Sequence, residues 1–190
     1  MADRGTLIRL LSERSVRRGK FTLASGREST YYVDARLTSM SPEGLASIGP
    51  LALNAIRERG WPVDSVGGLT LGADPISYAI AMASVDSPPL VRAFTVRKEA
   101  KQHGTGRLIE GPMNDGDRVV VVEDVITTGG SALRAAEAIQ RAGASISGIV
   151  ALVDREEGGR GILEAQGFEV ICLATVSELL DHAPASTPAS

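Results

Sequence analysis

The chain is poor in several features that mark particular protein classes. Its 190 residues include a single cysteine, Cys172, and aromatic residues make up only 4%. No intrachain disulfide can form, so a reducing compartment is compatible, and there is no ladder of aromatic platforms for single-stranded nucleic acid. No apolar run approaches the roughly 20 residues that a membrane span needs, and no signal-peptide core follows the charged N-terminus. We therefore expect a cytoplasmic protein that binds neither membranes nor nucleic acid.

The remaining composition is that of a globular protein. Hydrophobic residues make up 43%, charged residues 23%, and the formal net charge is -3. Any anionic ligand must therefore be held by local basic residues, since the chain as a whole does not attract anions. The length suits one domain, which we place at residues 1–181. The small, polar and proline-bearing residues 182–190 are predicted to form a disordered tail.

Helical and strand patterns alternate along most of the chain. Helices are predicted over residues 6–17 (stopping by Gly19), 41–59 (capped by Ser41), 74–83, 131–141 and 162–166. Strands are predicted over residues 20–23, 31–34, 65–69, 89–96, 118–122, 146–153 and 168–173. This alternation predicts an α/β fold with an open sheet, in which the valine-rich strand 118–122 is covered by helices on both sides. In such sheets, ligands bind beyond the carboxyl ends of the strands.

The most informative segment follows that valine-rich strand. It reads Glu123, Asp124, Val125, Ile126, Thr127, Thr128, Gly129, Gly130 and Ser131. Glycines let the backbone approach a phosphate closely, the following helix offers free N–H groups, and the hydroxyls add donors. The two acids would repel a phosphate but accept hydrogen bonds from a sugar diol, and a ribose 5-phosphate combines both groups. Because neighbouring strand residues point to opposite faces, both acids can reach one sugar only if the strand ends and bends there.

This segment resembles the phosphoribosyl pyrophosphate motif of the type I phosphoribosyltransferases. A plain strand-to-helix turn with surface acids is the alternative interpretation, but two glycines alone would be far less specific than the whole string. The resemblance implies a type I phosphoribosyltransferase fold. That fold has a mostly parallel central sheet flanked by helices and a small hood built from about residues 1–40, with the α/β core over about residues 41–181.

A basic loop follows the strand predicted over residues 89–96. Its charged residues include Arg97, Lys98, Lys101 and His103. Arginine and lysine can neutralise a diphosphate, and histidine can donate a hydrogen bond or a proton to a leaving oxygen. Composition alone favours a solvated loop, but the string resembles the catalytic loop of orotate phosphoribosyltransferases. The resemblance implies that these four residues bind pyrophosphate and stabilise its departure, and that the loop crosses a homodimer interface into the neighbouring active site.

Two further segments are candidates for binding the pyrimidine base. Residues 21–34 resemble the orotate-site signature of the same family, in which Tyr32 could stack on the pyrimidine; the alternative is a hairpin whose tyrosines cover the core. Arg155 follows the strand 146–153 and could pair bidentately with a carboxylate, as the family's arginine does with orotate. The alternative is a surface salt-bridge cluster of little energetic consequence. Many relatives carry lysines where Ala24 stands and near where Gly72 stands, so pyrophosphate affinity and metal dependence are open questions here.

The resemblance implies an orotate phosphoribosyltransferase that joins orotate to the 5-phosphoribosyl group of phosphoribosyl pyrophosphate in UMP synthesis. Mg²⁺ is the expected cofactor, held through substrate and water with no direct protein ligand, although Asp74 could hold it through water. Two alternatives stay open. One is a phosphoribosyltransferase for adenine, hypoxanthine or uracil, and the other is a non-catalytic regulator that senses phosphoribosyl pyrophosphate.

Overall fold

The structure is a computed structural model. It describes residues 3–22, 26, 28–99 and 108–183. The helices are α1 (Arg4–Arg14), α2 (Arg36–Ser39), α3 (Pro42–Glu58), α4 (Ala73–Asp86), α5 (Gly130–Arg141), α6 (Gly159–Ala165) and α7 (Val176–His182). The strands are β1 (Val16–Thr22), β2 (Glu28–Val33), β3 (Ser65–Leu69), β4 (Arg92–Val96), β5 (Ile109–Glu110), β6 (Arg118–Ile126), β7 (Ser145–Asp154) and β8 (Val170–Thr175).

Six strands form the central sheet in the order β5-β4-β3-β6-β7-β8. All neighbours are parallel except the short edge strand β5, which runs antiparallel to β4. β1 and β2 form a separate antiparallel pair, which is the N-terminal hood. The predicted α/β class, with a mostly parallel sheet flanked by helices, is therefore confirmed. Among the helices of the described ranges, none combines the length and apolar character needed to span a bilayer.

The valine run of β6 explains why helices cover both faces of the central sheet. Val120 and Val122 enter the core shared with α1, α3, α4 and α7. Val119 and Val121 enter the core on the opposite face, under α5 and α6. All four valines are fully buried. A strand with alternate side chains buried on both faces must lie inside the sheet, as the sequence predicted.

Two predicted elements near the N-terminus were wrong in detail. α1 ends at Arg14 instead of continuing to residue 17, because Val16 begins β1 and pairs with Val33. Gly19 therefore lies inside a strand and does not stop a helix. Pairing with β2, which is distant in sequence, determines that this segment forms a strand, and helical periodicity in the sequence carries no information about such pairing.

Other boundaries differ more modestly. Ser41 caps α3 as predicted, its hydroxyl accepting from the Gly44 N–H at 3.1 Å. β4 begins at Arg92, later than predicted, and β6 extends to Ile126, beyond the predicted end at 122. α7 was not predicted, and its last residue, His182, belongs to the segment expected to be a tail. Residues 184–190 lie outside the described part of the chain.

Candidate active site

The segment from Glu123 to Ser131 lies at the carboxyl edge of the sheet. β6 ends at Ile126, and α5 begins four residues later at Gly130. Gly129 has φ 78°, a left-handed conformation that favours glycine and lets the chain turn directly into the helix. The N-cap residue, Gly129, has no capping side chain. Apart from the Gly130 N–H, which donates to the Thr128 hydroxyl at 3.5 Å, no described side chain accepts from the first-turn N–H groups of α5, so residues 127–131 can form a phosphate cradle.

The side chains of this segment divide into two groups. Ile126 is buried, and Val125 packs against the core, so these two can offer only backbone groups to a ligand. Thr127 and Ser131 are half-buried and Thr128 is exposed. The Thr128 hydroxyl accepts from the Gly130 N–H at 3.5 Å. The three hydroxyls therefore lie in the turn and in the first turn of α5.

The cradle is supported from behind by the start of α6. A Cβ atom added to Gly159 would lie 2.4 Å from the Thr127 carbonyl oxygen and 2.8 Å from the Gly129 nitrogen. A Cβ on Gly129 would meet the Gly159 carbonyl oxygen at 3.0 Å. The two loops pack backbone against backbone, so the position of α6 determines the position of the cradle.

Both acids line one cleft of about 240 Å³, although β6 does not end before them. The sequence analysis expected the strand to end at the acids if both are to reach one sugar; β6 instead continues to Ile126. β3 pairs with β6 only as far as Gly67 opposite Val121, which leaves this side of β6 unpaired beyond that point. The cleft is lined by Arg36, Leu69, Thr70, Leu71, Gly72, Lys98, Glu123, Asp124, Ser131 and Arg134.

The two acids differ in environment. Glu123 is buried, and its pKa rises to about 9, mainly because of this desolvation and secondarily because of a hydrogen bond with Asp124 and the nearby Asp124 charge. Asp124 is half-buried, and its Oδ1 accepts from the Val125 N–H at 2.9 Å. A Glu123 carboxyl that keeps its proton near neutral pH can donate a hydrogen bond, whereas a sequence-based interpretation gives both acids only acceptor roles.

Gly72 lies directly against Asp124. A Cβ atom at this position would be 2.3 Å from the Asp124 Cγ atom. A side chain here, such as the lysine that the family resemblance led us to expect near this position, would require Asp124 or the loop to move. Ala24, the other position where the resemblance led us to expect lysine, lies outside the described residues.

Only part of the predicted basic loop falls within the described residues. Lys98 lines the acid cleft, whereas Arg97 lines a neighbouring groove of about 480 Å³ along α5. The Arg97 guanidinium lies 3.7 Å from Glu110, and its backbone N–H donates to Leu108 at 2.8 Å. Lys101 and His103 lie outside the described residues.

Arg155 lies beside the cradle but is enclosed. Its backbone N–H donates to the Ile126 carbonyl at 3.0 Å, which places it next to the end of β6. The residue is only 8% exposed, and its Nη2 pairs with Glu157 at 2.7 Å. Its guanidinium carbon lies 5.2 Å from the centre of the Tyr31 ring, and no described residue bonds its buried Nε. Glu157 and Tyr31 therefore hold the Arg155 guanidinium in place, and its buried Nε makes no hydrogen bond to a described residue.

Tyr32, the aromatic residue predicted for the base site, packs against Phe21 and is not the tyrosine that contacts Arg155. Tyr32 is 40% exposed, and its ring centre lies 5.7 Å from that of Phe21 in the hood. Tyr31, which the sequence analysis did not single out, is the residue that contacts Arg155. Alternation along β2 sends the two tyrosines to opposite faces.

Asp74 is occupied by protein hydroxyls. Its two carboxylate oxygens accept from Thr70 Oγ1 at 2.6 Å and from Thr95 Oγ1 at 2.9 Å. Within the described ranges, no group of three or more histidine, cysteine or acidic residues could hold a metal ion.

Comparisons with known proteins agree with this geometry. Residues 51–172 match the phosphoribosyl transferase domain. Orotate phosphoribosyltransferase from Aquifex aeolicus (strain VF5) is 47% identical over 184 residues, which are 95% of this chain and 99% of that protein. The Pyrococcus furiosus orotate phosphoribosyltransferase is 46% identical over 182 residues, 95% of this chain and 97% of the relative.

The chain is also similar to solved structures of orotate phosphoribosyltransferases. The crystal structure of Mycobacterium tuberculosis H37Rv orotate phosphoribosyltransferase in complex with 5-phospho-alpha-D-ribosyl 1-diphosphate has a TM-score of 0.79 and 39% identity. The match covers 93% of this chain and 98% of that one. The chain therefore belongs to the phosphoribosyltransferases and, among them, to the orotate phosphoribosyltransferase family.

Proposed function

We propose that the protein transfers the 5-phosphoribosyl group of phosphoribosyl pyrophosphate to orotate, giving orotidine 5'-monophosphate and pyrophosphate. The bond from the anomeric carbon to the pyrophosphate oxygen breaks, and a bond to a ring nitrogen of orotate forms as that nitrogen loses its proton. The observation that carries the proposal is the single cleft in which Glu123, Asp124 and Ser131 of the cradle meet Lys98. Family membership specifies orotate as the base.

The cradle and the two acids would hold the ribose phosphate. The 5'-phosphate would accept hydrogen bonds from the first-turn N–H groups of α5 and from the hydroxyls of Thr127, Thr128 and Ser131. Asp124 would accept from one ribose hydroxyl, and Glu123, whose raised pKa lets it keep a proton, could accept from or donate to the other. If the site holds phosphoribosyl pyrophosphate and orotate in the reactive orientation, the reaction between the two bound molecules becomes effectively unimolecular.

Pyrophosphate departure requires cations. Negative charge grows on the leaving oxygens while positive charge grows on the sugar, so fixed donors around the diphosphate lower the barrier. We assign this task to Arg97, Lys98, Lys101 and His103. Lys98 lies in the cleft, which supports its part of the assignment. A loop that covers the site would also keep water from the activated sugar.

The base would lie between the cradle and the hood. Arg155, whose backbone lies beside the end of β6, would bind the orotate carboxylate through its guanidinium. Tyr31 and Glu157 would hold its guanidinium in place. Tyr32, exposed on the other face of β2, would provide an apolar surface for the pyrimidine.

Mg²⁺ is the proposed cofactor. When bound, it would neutralise charge on the diphosphate, and Asp124 could contact it through water. Asp74 is a weaker candidate because both of its oxygens already accept hydroxyl protons. We keep the cytoplasm as the predicted location.

We further propose that two copies form a homodimer. Tyr78, Met82 and Val85 form an exposed apolar stripe on α4, at positions i, i+4 and i+7, and Met82 is 69% exposed. Beside this stripe runs a groove of about 390 Å³, to which α3 contributes Leu45, Ala46 and Pro50. A contiguous apolar face of this kind is typical of a protein interface. A second copy suits it, because the proposed loop sharing requires one.

A base-preference panel tests the proposed reaction. Purified protein with Mg²⁺ and phosphoribosyl pyrophosphate should consume orotate, measured by its ultraviolet absorbance, and release pyrophosphate in equal amount. Uracil, adenine and hypoxanthine should not react. Turnover of one of these bases instead would identify a different phosphoribosyltransferase, and binding of phosphoribosyl pyrophosphate without turnover of any base would indicate a sensor.

A further inference from the structure

Arg134 adds a cation to the edge of the phosphate cradle. It stands on α5 three residues after Ser131, so the two side chains lie on the same face of the helix. Its Nη2 is 3.4 Å from the Ser131 hydroxyl oxygen. Arg134 also lines the acid cleft together with Glu123 and Asp124. No role was assigned to it by the sequence.

The charge of Arg134 is not balanced locally. Across the described residues, no carboxylate lies within ion-pair distance of it, whereas Arg36 on the other side of the cleft is held by Asp34 at 2.8 Å. Arg141, two turns further along α5, is paired with Glu137 at 2.7 Å. The positive charge of Arg134 reaches the cleft, since it acts to lower the pKa of Glu123 against the effect of burial. A cleft cation without a protein anion can attract an anionic ligand.

The contact with Ser131 also orients the cradle. A guanidinium can only donate, so the Ser131 oxygen is the acceptor in this pair. The proton of the Ser131 hydroxyl must then point elsewhere and can be donated to a phosphate oxygen. A phosphate in the cradle would thus meet the Ser131 O–H and, within reach of the same oxygen, the N–H groups of Arg134.

We propose that Arg134 binds the 5'-phosphate of the substrate and helps to orient the Ser131 hydroxyl toward it. The assignment rests on the proposed function, because it takes the cradle as the 5'-phosphate site. It distinguishes the two anionic ends of phosphoribosyl pyrophosphate: Arg134 serves the phosphate that remains on the product, while the basic loop serves the departing pyrophosphate.

The test compares Arg134→Gln with Arg141→Gln, a matched change on the same helix outside the acid cleft. Ribose 5-phosphate binding is measured by calorimetry, and KM values are measured for both substrates and, in the reverse reaction, for orotidine 5'-monophosphate and pyrophosphate. We expect Arg134→Gln to weaken ribose 5-phosphate and to raise KM for both 5'-phosphate-bearing reactants by about tenfold, the effect of one charge-assisted hydrogen bond. KM for orotate and pyrophosphate should change by less than about twofold.

Two further readouts separate binding from a structural role. Arg134→Lys should recover part of the affinity, and the loss in Arg134→Gln should shrink as salt screens this exposed charge. A raised KM for pyrophosphate with an unchanged KM for the nucleotide would overturn the proposal, as would equal behaviour of the two glutamine variants. Ribose 5-phosphate binding that depends on Arg134 in a protein without orotate turnover would leave this inference standing and reject the proposed reaction alone.

Discussion

At the scale of single residues, burial makes Glu123 an unusual acid. Its pKa rises from 4.5 to about 9. Between these values the folded protein binds a proton that the unfolded chain has released, so stability falls as the pH rises through this window and falls no further above it. The cleft therefore carries an energetic penalty for holding two acids side by side, which is common where side chains are placed for function.

Replacing Glu123 with glutamine should remove that penalty. We expect Glu123→Gln to unfold at about the same temperature as the wild type at pH 4.5, and at least about 4–8 °C higher at pH 8.5, which corresponds to at least about 2 kcal/mol. Thermal unfolding across this pH range measures the difference. Glu58→Gln, at an exposed position on α3, should follow the wild-type profile. If Glu123→Gln also follows it, Glu123 is already ionised in the folded protein.

The contact between Tyr31 and Arg155 shows which parts of the site could not be predicted from the sequence. The sequence predicted that the two acids, the cradle hydroxyls and Arg155 lie at the carboxyl edge of the sheet, and the structure places them there, because they follow strand ends that share this edge. It could not separate Tyr31 from Tyr32, because a shift of one residue in the β1–β2 register would exchange their faces. Arg134 was missed although the helix predicted over residues 131–141 already places it three residues after Ser131, on the same face.

At the scale of elements, the clearest local patterns were the most predictable. β6 follows from an uninterrupted valine run, and α3 follows from its Ser41-Pro42 start. The first two residues of β1 were assigned to the preceding helix, because the pairing of β1 with β2 is not a local property. α7 was missed although Thr175 and Glu178 form a capping box that is visible in the sequence.

The packing of α6 behind the cradle predicts a sharp difference between two glycines of that helix. Gly159→Ala places a methyl group against Thr127 and Gly129 and should displace the cradle, raising KM for phosphoribosyl pyrophosphate about tenfold and costing about 1–3 kcal/mol of stability. Gly161→Ala meets no atom within 4 Å, so it should leave KM unchanged and should not destabilise the protein; its better helix propensity should add up to about 1 kcal/mol of stability. Steady-state kinetics and thermal unfolding measure these effects. Equal results for the two variants would mean that the cradle does not depend on α6.

At the scale of the whole molecule, the proposed dimer makes a prediction that a monomer cannot meet. Lys101→Ala removes a loop cation, and Asp124→Asn disables the cleft, so each variant alone should have little activity. If the loop acts in the neighbouring subunit, a hybrid dimer contains one intact cleft covered by one intact loop. Mixing the two variants with subunit exchange should then restore about a quarter of wild-type activity.

The control is a mixture of two loop variants. Lys101→Ala mixed with His103→Ala leaves every loop defective, so no activity should return whichever subunit the loop serves. Hybrid dimers that form, as seen by mass spectrometry, but stay inactive in the first mixture would place the loop in its own subunit. A single species of monomer mass would contradict the proposed interface on the α4 stripe.

The account as a whole rests on the claim that the cleft at the end of β6 binds phosphoribosyl pyrophosphate through Asp124. Titration calorimetry of this ligand with the wild type, Asp124→Asn and the exposed-site control Asp181→Asn tests it most directly. We predict binding to the wild type and to Asp181→Asn, and an affinity at least about tenfold weaker for Asp124→Asn, because the ribose hydroxyl loses a charged acceptor. Equal affinity of all three proteins would contradict the assignment of this cleft.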